Sequence, residues 1–164
     1  LGSFQACNGC EILSMSDSGS AYVWIGTDGA DGPNVKRYHN NTHQMADQFD
    51  HSFGNPSSIV YFDGYMWIGT DYFAEDLGYS VIKRYETSVG GLDGNFVDEI
   101  QVPNGVYSMD ADTRADEWND WRLWIGFEDR ENPGSGILQI RERDGSISEE
   151  ENLSFVPDGI CLVR

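Results

Sequence analysis

Basic residues are scarce in this sequence: 10 Lys and Arg stand against 28 Asp and Glu, a formal net charge of −18 over 164 residues. Such a surface repels nucleic acid and anionic membrane and favours cations or basic partners. Long apolar runs are lacking as well. None approaches the roughly 20 residues that a membrane-spanning helix needs, so no membrane insertion is expected. Helical periodicity of useful length is absent. So are the G-x-S-x-G elbow, the P-loop, the dinucleotide fingerprint and the H-E-x-x-H pair. Pairs of carboxylates could be picked almost at will from 28 acids, and that abundance identifies no glycosidase pair. No catalytic residue is therefore assigned, and a non-catalytic protein is expected.

Cysteine is nearly missing too: Cys7, Cys10 and Cys161 are all there is. Cys7-Asn-Gly-Cys10 has redox-motif spacing but not the strand-then-helix setting of a thioredoxin site, and it lacks the second pair of a structural zinc site. A disulfide among these three is the expectation, ahead of free thiols and of metal or redox chemistry. His39, His43 and His51 lie near Asp47 and Asp50 without compact metal spacing and read as surface residues.

What the sequence does have is aromatics, at 13% with five Trp, and 19 Gly. It also has a repeat. Tyr22-Val-Trp-Ile-Gly-Thr-Asp28 recurs as Tyr65-Met-Trp-Ile-Gly-Thr-Asp71 and more loosely as Arg122-Leu-Trp-Ile-Gly-Phe-Glu128. Asn34-Val-Lys-Arg-Tyr38, Val81-Ile-Lys-Arg-Tyr85 and Ile137-Leu-Gln-Ile-Arg141 follow the respective copies. Trp24 and Trp67 are 43 residues apart, Trp67 and Trp124 57 apart, the excess lying in an acidic insertion over Thr113–Trp121. β-branched and aromatic runs separated by Gly, Asn and Asp turns predict four strands per copy. They fall at 11–15, 22–27, 34–38 and 44–49; at 57–62, 65–70, 81–85 and 96–102; and at 106–111, 122–127, 136–141 and 153–156.

Four strands per repeat of roughly 40–50 residues is the pattern of a β-propeller. The fold class predicted is all-β: about three four-stranded antiparallel blades, at about 10–55, 56–104 and 105–157, with partial strands at 1–9 and 158–164. Trp24, Trp67 and Trp124 are the predicted blade core, each ring filling the wedge between neighbouring blades while the following Gly admits a close backbone. Leu13, Met15, Val23, Ile25, Ile59, Tyr61, Ile68, Met109 and Ile125 are expected to be buried with them.

The W-I-G-T-D pattern, preceded by Asp17-Ser-Gly19 or Asp63-Gly64 and followed by K-R-Y, resembles the propeller repeats of periplasmic two-component sensor proteins. Their blades read roughly D-x-x-G-x-L-W-I-G-T, a Gly-rich turn, then a strand ending in R-Y. The resemblance covers essentially the whole chain in three copies, and the third departs at Phe127 and Glu128. It implies the fold, and it adds a ligand-sensing domain of a membrane sensor as one reading of function.

Leu153-Ser-Phe-Val-Pro-Asp-Gly159 aligns with Ile100-Gln-Val-Pro-Asn-Gly105 and with the stretch from Gly2 to Gly9. The ends thus fall inside blades. This is the expectation for a window on a longer propeller, or for a unit of an oligomer, ring or filament with bare blade faces covered by further blades or other copies of itself.

Acidic residues gather after each Trp strand, at Asp28 and Asp31, at Asp71 and Asp76, and at Glu128 and Asp129. In a propeller these loops share one face. Calcium takes six to eight oxygen ligands on pliable loops, so these six are the candidate metal ligands, set against a simple solvated surface. Asn40-Asn-Thr42 and Asn152-Leu-Ser154 fit the N-glycosylation pattern at Asn40 and Asn152. With the cysteines, they point to an extracellular or periplasmic protein. The functional expectation is a scaffold or binding module for a protein or carbohydrate ligand. A calcium-dependent hydrolase or lyase with its site at the central channel is the alternative.

Overall fold

The computed structural model describes residues 11–17, 22–28, 34–39, 41–50, 56–62, 65–70, 79–86, 96–112, 122–142, 144–157 and 159–160, with backbone alone at 11–17, 22, 27, 28, 34, 47, 49, 50 and 62. Twelve strands run through them: β1 Glu11–Asp17, β2 Tyr22–Asp28, β3 Asn34–His39, β4 Met45–Asp50, β5 Pro56–Phe62, β6 Tyr65–Thr70, β7 Ser80–Glu86, β8 Phe96–Val102, β9 Val106–Asp112, β10 Arg122–Glu128, β11 Gly136–Arg141 and β12 Ile147–Leu153. No helix occurs among the described residues.

Each run of four strands closes into its own antiparallel sheet in sequence order, β1 to β4, β5 to β8 and β9 to β12. The pairing puts like residues of the repeat at like places. Trp24 lies opposite Arg37, Trp67 opposite Arg84 and Trp124 opposite Ile140. The first strands of successive sheets, β1, β5 and β9, pack side by side, and β2 and β6 reach across to the next first strand. The sheets therefore stack face to face about their first strands.

Alternation along a strand sends neighbouring side chains to opposite faces, which explains how both faces of β6 are buried at once. Met66 and Ile68 join Trp24, Val35, Ile59 and Tyr85 in the layer between the first two sheets. Trp67 joins Ile82, Val102, Val106, Met109, Ala111, Leu123, Ile125 and Phe127 in the layer between the second and third. Phe127, which stands where the other copies have Thr, is fully buried in that second layer. Thr70 is buried too and meets Ser80 hydroxyl to hydroxyl at 3.1 Å across β6 and β7. Tyr61 packs partly buried against the first layer and Val23 against Ile25 and Tyr38 on the other face of the first sheet. The side chains of Leu13 and Met15 are outside the described residues.

Two expectations need correction. The last strand is Ile147–Leu153, not 153–156. Its Ser-Glu-Glu-Glu core looks like a loop by composition, yet as the outermost strand it needs only to pair with β11 on one edge, and acids on a free edge discourage further pairing. The second correction concerns bare outer faces. The face of the first sheet turned away from the second carries Ile25, Lys36 and Tyr38, which are only 1%, 5% and 4% exposed. That face is covered within the chain.

Candidate functional site

The third sheet is where the repeat leaves something undone. Trp24 is 0% and Trp67 2% exposed, because each ring is roofed by the next sheet. Trp124 is only half-buried. With Leu138, Ile140, Glu149, Glu150 and Glu151 it lines a groove of about 410 Å³. One part of its face is already occupied: a Cβ on Gly126 would fall 2.8 Å from Pro157, and one on Gly136 would fall 2.6 Å from the Phe155 carbonyl. The turn after β12 thus seats itself on the glycines at one end of the sheet, and the tryptophan end stays open.

The same register shows what the third copy has lost. Arg37 places its guanidinium carbon 5.4 Å from the Trp24 ring centroid. Arg84 lies 5.2 Å from the Trp67 centroid and 4.8 Å from that of Tyr65, and its guanidinium is ion-paired with Asp98. A cation held over an indole contributes about 0.5–2 kcal/mol, more as water is excluded. On the outermost strand an acid stands opposite each of these positions: Asp47 opposite Arg37, Asp98 opposite Arg84 and Glu149 opposite Ile140. The third sheet keeps the indole and the acid and has an isoleucine where the arginine belongs.

Its own arginine is one position further on and faces the other way. Arg141 is buried toward the second sheet, donating to Gln139 Oε1 at 2.9 and 3.1 Å, to the Gly145 carbonyl at 2.8 Å and to the Gln101 carbonyl of β8 at 3.4 Å. Burial pulls its pKa down, and Glu150 opposes that shift. Gln139 in turn donates to Glu150. Arg141 and Glu150 are thus spent on the junction, whereas no described residue pairs with Glu149 or Glu151.

A second, wider groove of about 720 Å³ lies beside the β10–β11 turn, lined by residues that include Asn104, Asp129, Glu131, Asn132 and Asn152. Here Glu128 and Asp129, two of the candidate calcium ligands, serve the turn itself. Asp129 accepts from the Glu131 amide at 2.9 Å and from Asn132 Nδ2 at 2.8 Å; the Asn132 bond, first, holds its carboxyl below the ordinary range. Glu128 accepts from the Tyr107 hydroxyl at 3.2 Å and the Gly134 amide at 3.4 Å. Among the described residues no group of three His, Cys, Asp or Glu is placed to hold a metal. Asp31, Asp71 and Asp76 lie outside the described residues, as does the side chain of Asp28. Asn40, Cys7, Cys10 and Cys161 also lie outside them, as do the partial strands apart from Gly159 and Ile160. Asn152 is exposed at the end of β12.

One repeated feature escapes the sequence reading. Ser14, Ser58 and Ser108 each stand opposite the glycine of a W-I-G copy, at Gly26, Gly69 and Gly126. Ser108 Oγ donates to the Pro157 carbonyl at 2.7 Å, and the neighbouring Ser57 Oγ donates to the Val106 carbonyl of the next sheet. The Ser57 bond ties the second blade to the third, and the Ser108 bond holds the turn after β12 onto the first strand of its own blade. The signal was a serine nine to sixteen residues before the Trp of each Trp-Ile-Gly, visible only once the register is known.

No protein-family model matches the chain, and no characterised protein matches it in sequence. Solved structures do. A chain in the crystal structure of a mitotic checkpoint complex superposes with a TM-score of 0.61 at 14% identity, over 87% of this chain and 37% of that one. A crystal structure of a eukaryotic initiation factor gives 0.60 at 8% identity, over 90% of this chain and 33% of that one. Both matched regions are propeller folds. The chain is an all-β propeller segment of three four-stranded blades. It spans about a third of the length of these neighbours, and at such identity the likeness concerns the fold. In a propeller a blade is roofed on both faces by its neighbours; among the described residues the second blade meets that condition, and the third meets it on one face only.

Proposed function

We propose that this chain is a non-catalytic, protein-binding scaffold, part of a larger propeller or assembly, that makes its contact through the open face of the third blade. The observation that carries the reading is the contrast in one repeated residue. Trp24 and Trp67 are sealed by a following blade, and Trp124 is left half-open over a groove. Buried aromatics at a patch centre are the residues that most often anchor protein contacts. The net charge of −18 adds a preference for basic partners. The propeller neighbour from a mitotic checkpoint complex works as part of an assembly, which supports a scaffold role. The glycosylation triplets at Asn40 and Asn152 together with the cysteines support an extracellular or periplasmic setting.

The test is a comparison of two substitutions in protein captured from its native source. Trp124→Glu puts a charge at the centre of the groove, while Phe96→Glu alters an exposed aromatic on the second blade. Partners lost with Trp124→Glu and kept with Phe96→Glu are the expected result. Partners kept by both, or catalytic turnover that survives Trp124→Glu, would contradict the reading.

A further inference from the structure

We infer that the third blade is a receptor for an arginine side chain brought by a partner protein, the guanidinium lying over Trp124 and against Glu149 and Glu151. The inference rests on the scaffold reading above and names the chemistry of the contact.

The chain itself supplies the template. In two blades the tryptophan of the second strand, the arginine of the third and the acid of the fourth stand in one row across the sheet. In the second blade the row is closed in full: Arg84 lies over Trp67 and is ion-paired with Asp98. The third blade carries the outer two members of the row, Trp124 and Glu149, with Ile140 between them. Isoleucine is shorter than arginine by several atoms and has no charge. It covers the middle of the row and leaves open space over the ring, which is the groove that Trp124, Leu138 and Ile140 line with Glu149 and Glu151 at its outer lip. Alternation places Glu149 and Glu151 on the same face as Trp124, since they stand opposite Ile140 and Leu138. The result is an indole and two carboxylates around an apolar floor; the described cation on the same face, Arg122, is ion-paired with Glu142 at 3.2 Å rather than with Glu149 or Glu151.

An arginine fits that arrangement better than a lysine. Its planar guanidinium stacks on an aromatic face while donating sideways to carboxylates, and it sheds water more readily than an ammonium. Leu138 and Ile140 take the methylene stem, as apolar surface takes the stems of long cationic side chains elsewhere. A second copy of this chain is a poorer occupant. Docked in the manner of successive blades it would present the outer face of its first blade, and the Ile25, Lys36 and Tyr38 of that face are already buried within their own chain. The occupant assigned is an arginine-bearing, partly apolar segment of a different protein. Equal binding of an arginine peptide and its citrulline counterpart would instead leave this face to a further blade.

The experiment measures binding of a short labelled peptide of alternating arginine and leucine to the 164-residue chain by fluorescence anisotropy, beside the same peptide with citrulline for arginine. Citrulline keeps the shape and removes the charge. The arginine peptide is expected to bind at least about tenfold more tightly than the citrulline one, and Glu149→Gln with Glu151→Gln should remove about that factor. Ile140→Arg would fill the row from within and should abolish binding; should that variant fail to fold, the glutamine pair, on exposed side chains, still decides. Equal binding of both peptides, or binding unchanged by the glutamine pair, overturns the inference. If the peptide result is negative and Trp124→Glu still strips native partners, the scaffold reading stands and the arginine assignment falls. If Trp124→Glu instead converts a dimer to a monomer in sedimentation, the occupant is a second copy, and the assignment falls in that case too.

Discussion

Gly69 and Val106 touch so closely that a Cβ on the glycine would lie 2.7 Å from the valine Cγ1. The contact joins the W-I-G strand of the second blade to the first strand of the third, where the same Cβ would also lie 3.2 Å from Met109 Cε. Glycine is there for want of space. Gly69→Ala should destabilise by about 1–3 kcal/mol, the usual cost of overpacking a close-packed junction. Urea denaturation of the variant measures it, and an unchanged midpoint would mean that the two blades are not packed as described.

The two tryptophans that differ in cover should differ in cost. Trp67→Ala removes a ring packed among Ile82, Val102, Val106 and Leu123 and should cost about 3–5 kcal/mol. Trp124→Ala removes a half-covered ring, whose truncation should cost clearly less, on the order of half as much. Thermal or chemical unfolding of the pair gives the ratio, and equal losses would count against an open third face.

Alkaline pH should act through Tyr85. Burial, and next the charge of Glu99, push its phenol from 10.0 up to about 12. A folded pKa raised above the unfolded one gives stability that is complete below pH 10 and disappears as the pH climbs through about 12. Tyr85→Phe should flatten that loss, as read from denaturation midpoints across the range. The same alkaline slope in the variant would assign the effect elsewhere.

Acid should act on the β10–β11 turn. Asp129 titrates below its ordinary 3.8 chiefly because Asn132 donates to it. A depressed folded pKa gives a contribution present above the ordinary carboxylate range and lost as the pH falls through the folded value. The Glu131 amide, which donates to Asp129, should lose protection relative to its intrinsic exchange rate both at low pH and in Asp129→Ala at neutral pH. Protection that ignores the substitution would show that the turn is held by its backbone bonds alone.

Much of the fold is legible in the sequence because the repeat states it three times. The strands around Trp24 and Trp67 combine β-branched and aromatic residues with an immediate Gly, and they lie at 22–28 and 65–70. β12 is not legible: its Glu149-Glu-Glu151 run has no apolar face, and an outermost strand does not need one. The open face is not legible either, because Trp124 sits in the same motif as its sealed counterparts and differs only in what lies above it. The row of Trp, Arg and acid needs the register across three strands, which no spacing in the chain announces. With that register known, Gln139-Ile-Arg141 in place of Lys-Arg-Tyr becomes the informative departure.

Hydroxyl-radical footprinting of the tryptophans tests the central claim most directly, since it reads ring exposure at each copy of one motif in a single sample. Trp124 is expected to be oxidised readily, with Trp24 and Trp67 protected to the level of the buried core, and addition of the arginine–leucine peptide should protect Trp124 alone. Equal protection of all three rings without any peptide would contradict an open third blade, and the function built on it.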